Sequence, residues 1–333
     1  MKTVDMLPEY VEGAVSLEGG PGWVKPWRIV FELQELFYPE DGLQATAQKA
    51  SGVRLRFETD AETVALQVEP AEEGRPFDLT RAADLLGTVL LPAGEDTVEF
   101  GELAGKPTVY ELWLPQATPI RLKALRVPEG AAIRPAADPR PRWCAYGSSI
   151  TQCGGAHSPA RTWPALVARR LGLNLTCLGY GGNCDIDPIV ATMIRDLPAD
   201  VITIKVGINV QAHCSFTPRT FQPAVIGFVR TIRERHPLTP IGVITAIISP
   251  PREDQRNAVG LSLSNCRWHT AEAVRRLRAC GDEHLHLFSG LDLLGQDDLA
   301  YLPDDVHPNA DGYELIGRRA ADQVLPKLLK DIA

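Results

Sequence analysis

The chain has 333 residues, with 42 acidic and 34 basic side chains that give a formal net charge of −8. A length beyond the ~250–300 residues at which single cores stop growing favours two domains. The negative charge and the lack of a basic run argue against a nucleic-acid partner, because phosphate backbones would be repelled. No stretch of the sequence approaches the ~20 apolar residues of a membrane helix, so we expect no membrane partner.

The N-terminal segment and the cysteines bear on the compartment. Residues 1–15 carry Lys2, several acids and Pro8, with no apolar core of signal-peptide length. The seven cysteines form no Cys-x-x-Cys pair, which argues against a zinc site or a disulfide framework. We therefore expect a cytoplasmic protein with small, buried thiols.

Residues 1–135 have the pattern of an all-β domain. Short runs in which apolar and polar residues alternate are typical of strands that bury one face. Such runs occur at 53–57, 64–68, 87–91, 97–100, 109–114 and 120–127. Their number and short spacing predict a β-sandwich, jelly-roll-like in type. The proline-rich stretch 131–141 is predicted to be a linker, so the predicted domains are 1–135 and 142–333.

The second part of the chain alternates between apolar strands and helical periods. Strands are predicted at 143–146, 173–178, 201–206, 241–248 and 284–288. Helices are predicted at 162–171, 188–197, from 217 onward, 264–279 and 309–329. Strict alternation predicts an α/β fold with five parallel strands in a flavodoxin-like three-layer α/β/α sandwich. Ligands bind outside the carboxyl ends of the strands in such sheets.

Four loops that follow predicted strands carry polar signatures. They are Gly147–Thr151, Gly179–Asn183, Gly207–Asn209 and Asp304–Pro308. Singly, each block has a structural interpretation as a helix cap, a turn or a solvated loop. The order of all four blocks, each after a strand, is far more specific than any one of them.

These blocks, in this order, resemble the SGNH (GDSL-type) hydrolases from about residue 142 to the C-terminus. The resemblance implies that Ser149 is the nucleophile, His307 the base and Asp304 its orienting partner. It also implies that Gly182 and Asn209 complete an oxyanion hole with the amide of Ser149. A subgroup with an N-terminal β-sandwich is similar in carrying Gly-Ser-Ser-Ile-Thr, and it includes acetylxylan-type esterases and a polyketide-tailoring acyltransferase.

The chemistry of the residues agrees with these roles. A serine hydroxyl is a weak nucleophile until a base such as His307 removes its proton. A carboxylate must then orient the imidazole; Asp304 and Asp305 compete for that role, and a turn across the three-residue spacing favours Asp304. Ser148 stands where the family usually has Asp, and its effect on specificity is not predicted.

The sequence therefore predicts a serine esterase that hydrolyses short-chain esters through an acyl-Ser149 intermediate, with no metal or organic cofactor. The expected substrate is a small-molecule or oligosaccharide ester, with acetyl groups on a carbohydrate or polyol favoured. The alternatives are an acyltransferase with the same triad and a non-catalytic carbohydrate-binding protein. The acyl chain, the alcohol and a homo-oligomeric state are left open. The polar segment 250–262 is expected to wall the site, and His157 and His213 are weaker candidates for the pocket.

Overall fold

The computed structural model describes residues 1–332, so residue 333, the last of the predicted second domain, lies outside the described chain. Within that range, the first part holds twelve strands and one short α-helix, α1 at Ala45–Ala47. The strands are β1 Lys2–Asp5, β2 Val11–Glu12, β3 Ser16–Gly20, β4 Trp23–Trp27, β5 Arg54–Thr59, β6 Val64–Val68, β7 Arg75–Arg81, β8 Asp84–Leu91, β9 Thr97–Phe100, β10 Thr108–Trp113, β11 Leu122–Val127 and β12 Ile133–Pro135.

These strands form two antiparallel sheets that share one core. One sheet has the order β3-β4-β11-β6-β9 with β1 beside β11, and the other has the order β12-β5-β10-β7-β8 with β2 beside β5. Alternate residues of each sheet are buried against the other, among them Leu55, Phe57, Leu66 and Leu112. The predicted all-β sandwich is confirmed.

Some strands escaped prediction because their polar residues are buried. In β7, Arg75, Asp78 and Thr80 are all buried, which hides the period-two alternation. Asp78 tolerates burial because its carboxylate accepts the amide of Ala160 at 2.7 Å and the hydroxyl of Thr88 at 2.5 Å. The pattern of apolar and polar residues therefore predicts a loop where the structure has a strand.

The second part forms one parallel sheet between helices. Its strands are β13 Arg142–Gly147, β14 Asn174–Gly179, β15 Val201–Lys205, β16 Ile241–Ile244 and β17 Leu285–Phe288. Their order is β14-β13-β15-β16-β17, with every pair parallel. The helices are α2 Ser149–Gln152, α3 Trp163–Leu171, α4 Pro188–Asp196, α5 Ile208–His213, α6 Pro218–Arg233, α7 Leu263–Ala279, α8 Ala310–Gln323 and α9 Leu325–Leu329. The predicted three-layer α/β fold with five parallel strands is confirmed.

Two predicted elements are shorter than expected. The fourth strand ends at Ile244 rather than 248, because its neighbour β17 ends at Phe288 and offers no further pairing. Residues 246–248 are apolar because they are buried, not because they are paired. The predicted last helix is interrupted at Val324, which separates α8 from α9. Pro326 has no amide hydrogen to donate, and its ring would clash with the helical carbonyl one turn earlier.

The predicted linker is not a free segment. Ile133–Pro135 pairs with β5 in the sandwich. Beyond it, Asp138 lies 3.3 Å from Arg54 in a buried ion pair, and Arg140 bonds to Glu111. The boundary between residues 135 and 142 stays a prediction. Within residues 1–332, no helix combines the length and apolar character that a membrane crossing requires.

The segment between β4 and β5 joins the two parts. Its apolar side chains pack into the core of the parallel sheet; they include Ile29, Phe37, Leu43 and Ala47. Arg28 is fully buried in this segment, over the ring of Tyr180. Its guanidinium donates to four backbone carbonyls at 2.5–3.2 Å: Thr46, Lys49, Cys177 and Gly179. The first two carbonyls belong to the N-terminal part and the other two to β14.

We expect Arg28→Met to lower the free energy of unfolding by at least ~3 kcal/mol, because several buried carbonyls lose their donor. Urea unfolding followed by circular dichroism measures this change. The control is Arg134→Met, since Arg134 is 73% exposed in its pair with Glu58 and such pairs contribute ~0–1 kcal/mol. Equal effects of the two substitutions would contradict the role assigned to Arg28.

Candidate active site

Ser149 lies at the sharp turn between β13 and α2. Gly147 closes that turn, and a Cβ there would lie 2.2 Å from the hydroxyl of Thr151. Ser148 caps α2, because its Oγ accepts the amide of Ile150 at 3.3 Å. A serine at 148 therefore supplies the same kind of cap that an aspartate would. Ser149 follows as the first helical residue, with its side chain half-buried at the carboxyl end of the sheet.

A hydrogen-bonded chain links Ser149, His307 and Asp304. Nε2 of His307 lies 2.9 Å from Oγ of Ser149. Nδ1 of His307 lies 2.7 Å from Oδ2 of Asp304. Ser149 and His307 are 158 positions apart in the sequence, and the packing of α8 against α3 helps to bring them together. The spacing is that of a nucleophile, a general base and an orienting carboxylate.

The carboxylate of Asp304 is held in its ionised form. Burial raises the pKa of Asp304, but hydrogen bonds from the backbone and ring of His307 and from the backbone of Val306 lower it to about 2. Oδ1 accepts the amides of Val306 at 3.0 Å and His307 at 2.6 Å, which leaves Oδ2 for the imidazole. Asp304 can therefore hold the ring and stabilise an imidazolium throughout the neutral range.

Asp305 takes no part in this chain. Its backbone is left-handed, with φ of 62°, and its side chain is exposed. Among residues 1–332 its carboxylate makes no salt bridge, whereas Asp304 meets His307. Of the two aspartates that the sequence leaves in competition, the structure brings only Asp304 to the imidazole.

The candidate oxyanion donors border the same cleft as Ser149. Gly182 has φ of +69°, a left-handed conformation in which side chains are strained. Asn209 is buried at the start of α5. Its Oδ1 accepts the amide of Cys184 at 3.2 Å, which leaves its NH2 group to donate elsewhere. The five predicted site residues are thus assembled in one place.

Gln152 is a positioning residue that sequence reasoning missed. Its Oε1 accepts the amide of Gly181 at 2.9 Å, and its backbone carbonyl accepts the hydroxyl of Ser51 at 2.8 Å. A Cβ at Gly181 would lie 2.8 Å from this Oε1. Gln152 is therefore packed tightly beneath the loop that carries Gly182. Its place one turn after Ser149 is the only sequence feature that could have suggested it.

The cleft has a volume of about 520 Å³, within the usual range for small-ligand sites. Its lining residues are Lys49, Ser149, Gln152, Gly154, Gly155, Gly181, Gly182, Ile208, Asn209, Ala212, Arg252, Val306, His307, Pro308 and Tyr313. Arg252 comes from the predicted wall segment. His157 and His213 do not line the cleft, since they pair instead with Asp311 and Asp185.

A second groove, of about 760 Å³, lies at the opposite ends of the strands. It is bounded by Pro141, Leu173 and Asp200, near the amino ends of β13, β14 and β15. No serine, cysteine or histidine of the described chain lines it. The hydrogen-bonded chain of Ser149, His307 and Asp304 instead lies at the carboxyl ends of the strands, as expected for open parallel sheets.

The fold and this site define a two-part protein with a Ser–His–Asp constellation on a parallel α/β sheet. The chain belongs to the GDSL-like lipase/acylhydrolase family, whose sequence profile matches residues 145–315. A second profile, that of the SsfX3 N-terminal domain, matches residues 9–123. The resemblance to SGNH hydrolases is thereby confirmed.

Several solved structures are similar over the whole chain. The salicylyl-acyltransferase SsfX3 from a tetracycline biosynthetic pathway is 33% identical, with a TM-score of 0.89 over 98% of both chains. A GDSL-like lipase from Bacteroides ovatus is 23% identical, with a TM-score of 0.76 over 96% of this chain and 95% of that one. A family two carbohydrate esterase from Clostridium thermocellum is 14% identical, with a TM-score of 0.66 over 96% and 99%. The last two show the fold alone. A comparison with curated proteins gave no match.

We expect Asp304→Asn to lower kcat about 10⁴-fold, because an amide favours the wrong imidazole tautomer. Asp305→Asn is the matched control, and it should leave kcat within about twofold because asparagine tolerates the left-handed backbone. Steady-state hydrolysis of p-nitrophenyl acetate measures both. A larger loss in the Asp305 variant would reverse the assignment.

We expect Asn209→Ala to lower kcat by ~10²–10³-fold with little change in KM, because one oxyanion donor is lost. Asn209→Asp separates this role from a structural one. Aspartate keeps an acceptor for the amide of Cys184 but has no N–H to donate. Recovery of activity in the aspartate variant would mean that Asn209 acts only through the loop.

Proposed function

We propose that the protein catalyses acyl transfer from esters through an acyl-Ser149 intermediate, with hydrolysis of short-chain esters as its basal reaction. The observation that carries this proposal is the hydrogen-bonded chain from Ser149 through His307 to Asp304, facing an open cleft. Family membership supports a hydrolase or an acyltransferase.

The first half-reaction forms the acyl-enzyme. His307 Nε2 accepts the proton of Ser149 Oγ as that oxygen attacks the carbonyl carbon. The negative charge moves to the carbonyl oxygen, where the amides of Ser149 and Gly182 and the side chain of Asn209 donate to it. Each such donor contributes ~3 kcal/mol to transition-state stabilisation. His307 then gives its proton to the departing alcohol, and the C–O bond breaks.

The second half-reaction frees the enzyme. His307 Nε2 takes a proton from water, and the resulting hydroxide-like oxygen attacks the acyl carbon. The C–Oγ bond breaks, and His307 returns the proton to Ser149. Asp304 stabilises the imidazolium in both halves. His307 thus accepts and returns the proton in each step of the scheme.

Transfer to an alcohol is the second candidate function. Its specific support is the 33% identity to SsfX3, a salicylyl-acyltransferase, over 98% of both chains. An alcohol acceptor would replace water in the second half-reaction and lose its proton to His307 in the same way. An open cleft gives room for such an acceptor beside the acyl group.

Acetyl esters of a carbohydrate or polyol remain the proposed substrates for hydrolysis. The likeness to carbohydrate esterases concerns the fold, at 14% identity. Tyr313 is the one aromatic residue among those that line the cleft within the described chain, and it is 2% exposed. Stacking of a sugar ring inside the cleft would therefore be limited, which favours a small or flexible alcohol.

Ser149→Ala should abolish turnover of p-nitrophenyl acetate and labelling by a fluorophosphonate, because the attacking oxygen is gone. The matched control is Ser148→Ala, which keeps Ser149 and removes only a helix cap that contributes ~1 kcal/mol. It should still be labelled. Mass spectrometry locates the adduct. An unlabelled wild-type protein would favour the non-catalytic carbohydrate-binding alternative.

Hydrolysis and transfer are separated by the fate of the acyl group. We expect added glycerol or phenol to divert part of the acyl-enzyme into a new ester if the cleft binds an acceptor. Chromatography of the products at constant p-nitrophenyl acetate measures the ratio of ester to acid. A ratio no higher than the molar ratio of alcohol to water in the solvent would contradict acceptor binding.

A further inference from the structure

Two cationic side chains in the cleft have no part in the proposed mechanism. Lys49 and Arg252 line the same cleft as Ser149, Asn209 and His307. We propose that they recognise an anionic group, a carboxylate or a phosphate, on the substrate. The inference rests on the proposed function, and it names the class of ester that the site selects.

Lys49 and Arg252 come from segments next to different strands of the sheet. The backbone carbonyls of Lys49 and of Gly179, at the end of β14, both accept hydrogen bonds from Arg28. Arg252 follows β16 in the sequence. In the sheet, β14 and β16 lie on either side of the central pair β13–β15, from which Ser149 and Asn209 project. Lys49 and Arg252 therefore enter the cleft from the two sides of this strand pair.

Neither cation has a carboxylate partner in a salt bridge among residues 1–332. The side chain of Arg252 bonds to Oε1 of Gln211 at 2.9 Å, a neutral acceptor. The adjacent carboxylate of Glu253 is engaged by Arg267. Asp304, the acid nearest the nucleophile, is engaged by His307. The cleft thus holds two cations without a salt-bridge partner, in a chain whose net charge is −8.

The fold holds the backbone of Lys49 and the side chain of Arg252. The carbonyl of Lys49 accepts Nε of the buried Arg28 at 2.6 Å, and Lys49 forms an isolated β-bridge with Pro119. Arg252 ends a short turn at Pro250–Arg252 and is tied to Gln211 on α5, the helix that carries Asn209. Both residues are half-buried. A cation that is held beside a reacting centre, as Arg252 is, binds an anion with less loss of entropy than a mobile surface lysine does.

The same placement argues for a role in selection rather than in catalysis. A charge-assisted hydrogen bond to a substrate anion is stronger than a neutral one, and the local field raises the encounter rate of anionic esters. A neutral acetate ester would gain neither benefit. The anion can lie on the acyl part or on the alcohol part, because Lys49 and Arg252 belong to separate segments of the cleft wall.

The test compares matched esters. Phenyl acetate is neutral, 3-acetoxybenzoate has a carboxylate on the alcohol part, monophenyl succinate has one on the acyl part, and 3-acetoxyphenyl phosphate has a phosphate on the alcohol part. We expect wild-type kcat/KM to favour at least one anionic ester over phenyl acetate by about tenfold or more. The ester that gains shows which part carries the anion and which anion is preferred.

Lys49→Met and Arg252→Met should each lower kcat/KM for the favoured anionic ester by about tenfold, and leave phenyl acetate within about twofold. Arg256→Met is the matched control, because Arg256 is exposed on the same segment and does not line the cleft. It should change neither ester. The proposal is overturned if wild type shows no preference for any anionic ester, or if Lys49→Met and Arg252→Met slow neutral and anionic esters equally.

Binding to an inactive variant separates this inference from the proposed function. Calorimetry with Ser149→Ala and each intact anionic ester measures recognition without turnover. Binding that is lost when Lys49→Met is added, together with a wild type that turns over no ester, would refute the proposed function and keep the anion site. Turnover of phenyl acetate without any charge-dependent binding would do the reverse.

Discussion

The joining of the two parts of this protein depends on the hydrogen bonds of the Arg28 guanidinium. Burial lowers its pKa, yet a guanidinium stays charged in proteins, and no acidic side chain is among its hydrogen-bond partners. Isolated buried charges are costly unless hydrogen bonds satisfy them. Here the four acceptors come from both parts of the chain, so the charge is satisfied only when the sandwich and the parallel sheet are joined.

This constraint reaches the active site directly. Gly179 begins the loop that carries Gly182, and Lys49 lines the cleft; both are held by the same guanidinium. The hydroxyl of Tyr180 donates back to the carbonyl of Arg28 at 2.5 Å. The loop that carries Gly182 is therefore held from the N-terminal side by Arg28, while Gln152 holds it from the side of Ser149. The sandwich acts as part of the active-site wall.

The charged side chains of the site differ in the partners that they bind. Asp304 is kept anionic by two backbone amides and by the ring of His307, which it holds in place. Lys49 and Arg252 have no salt-bridge partner among residues 1–332, and Arg252 bonds to the neutral side chain of Gln211. Their positive charge therefore remains available to a ligand.

The sequence by itself determined the alternation of strands and helices and the order of four polar loops, because buried parallel strands are continuously apolar and their carboxyl ends carry the ligand-binding residues. Together with the resemblance to SGNH hydrolases, that order implied Ser149, His307 and Asp304. The tertiary structure brought Asp304 rather than Asp305 to the imidazole, and it alone revealed Arg28 and Gln152. Local periodicity records only which face of an element is buried. It cannot record a polar side chain whose partners are backbone groups more than a hundred residues away, such as Arg28 and the carbonyl of Cys177, 149 positions apart.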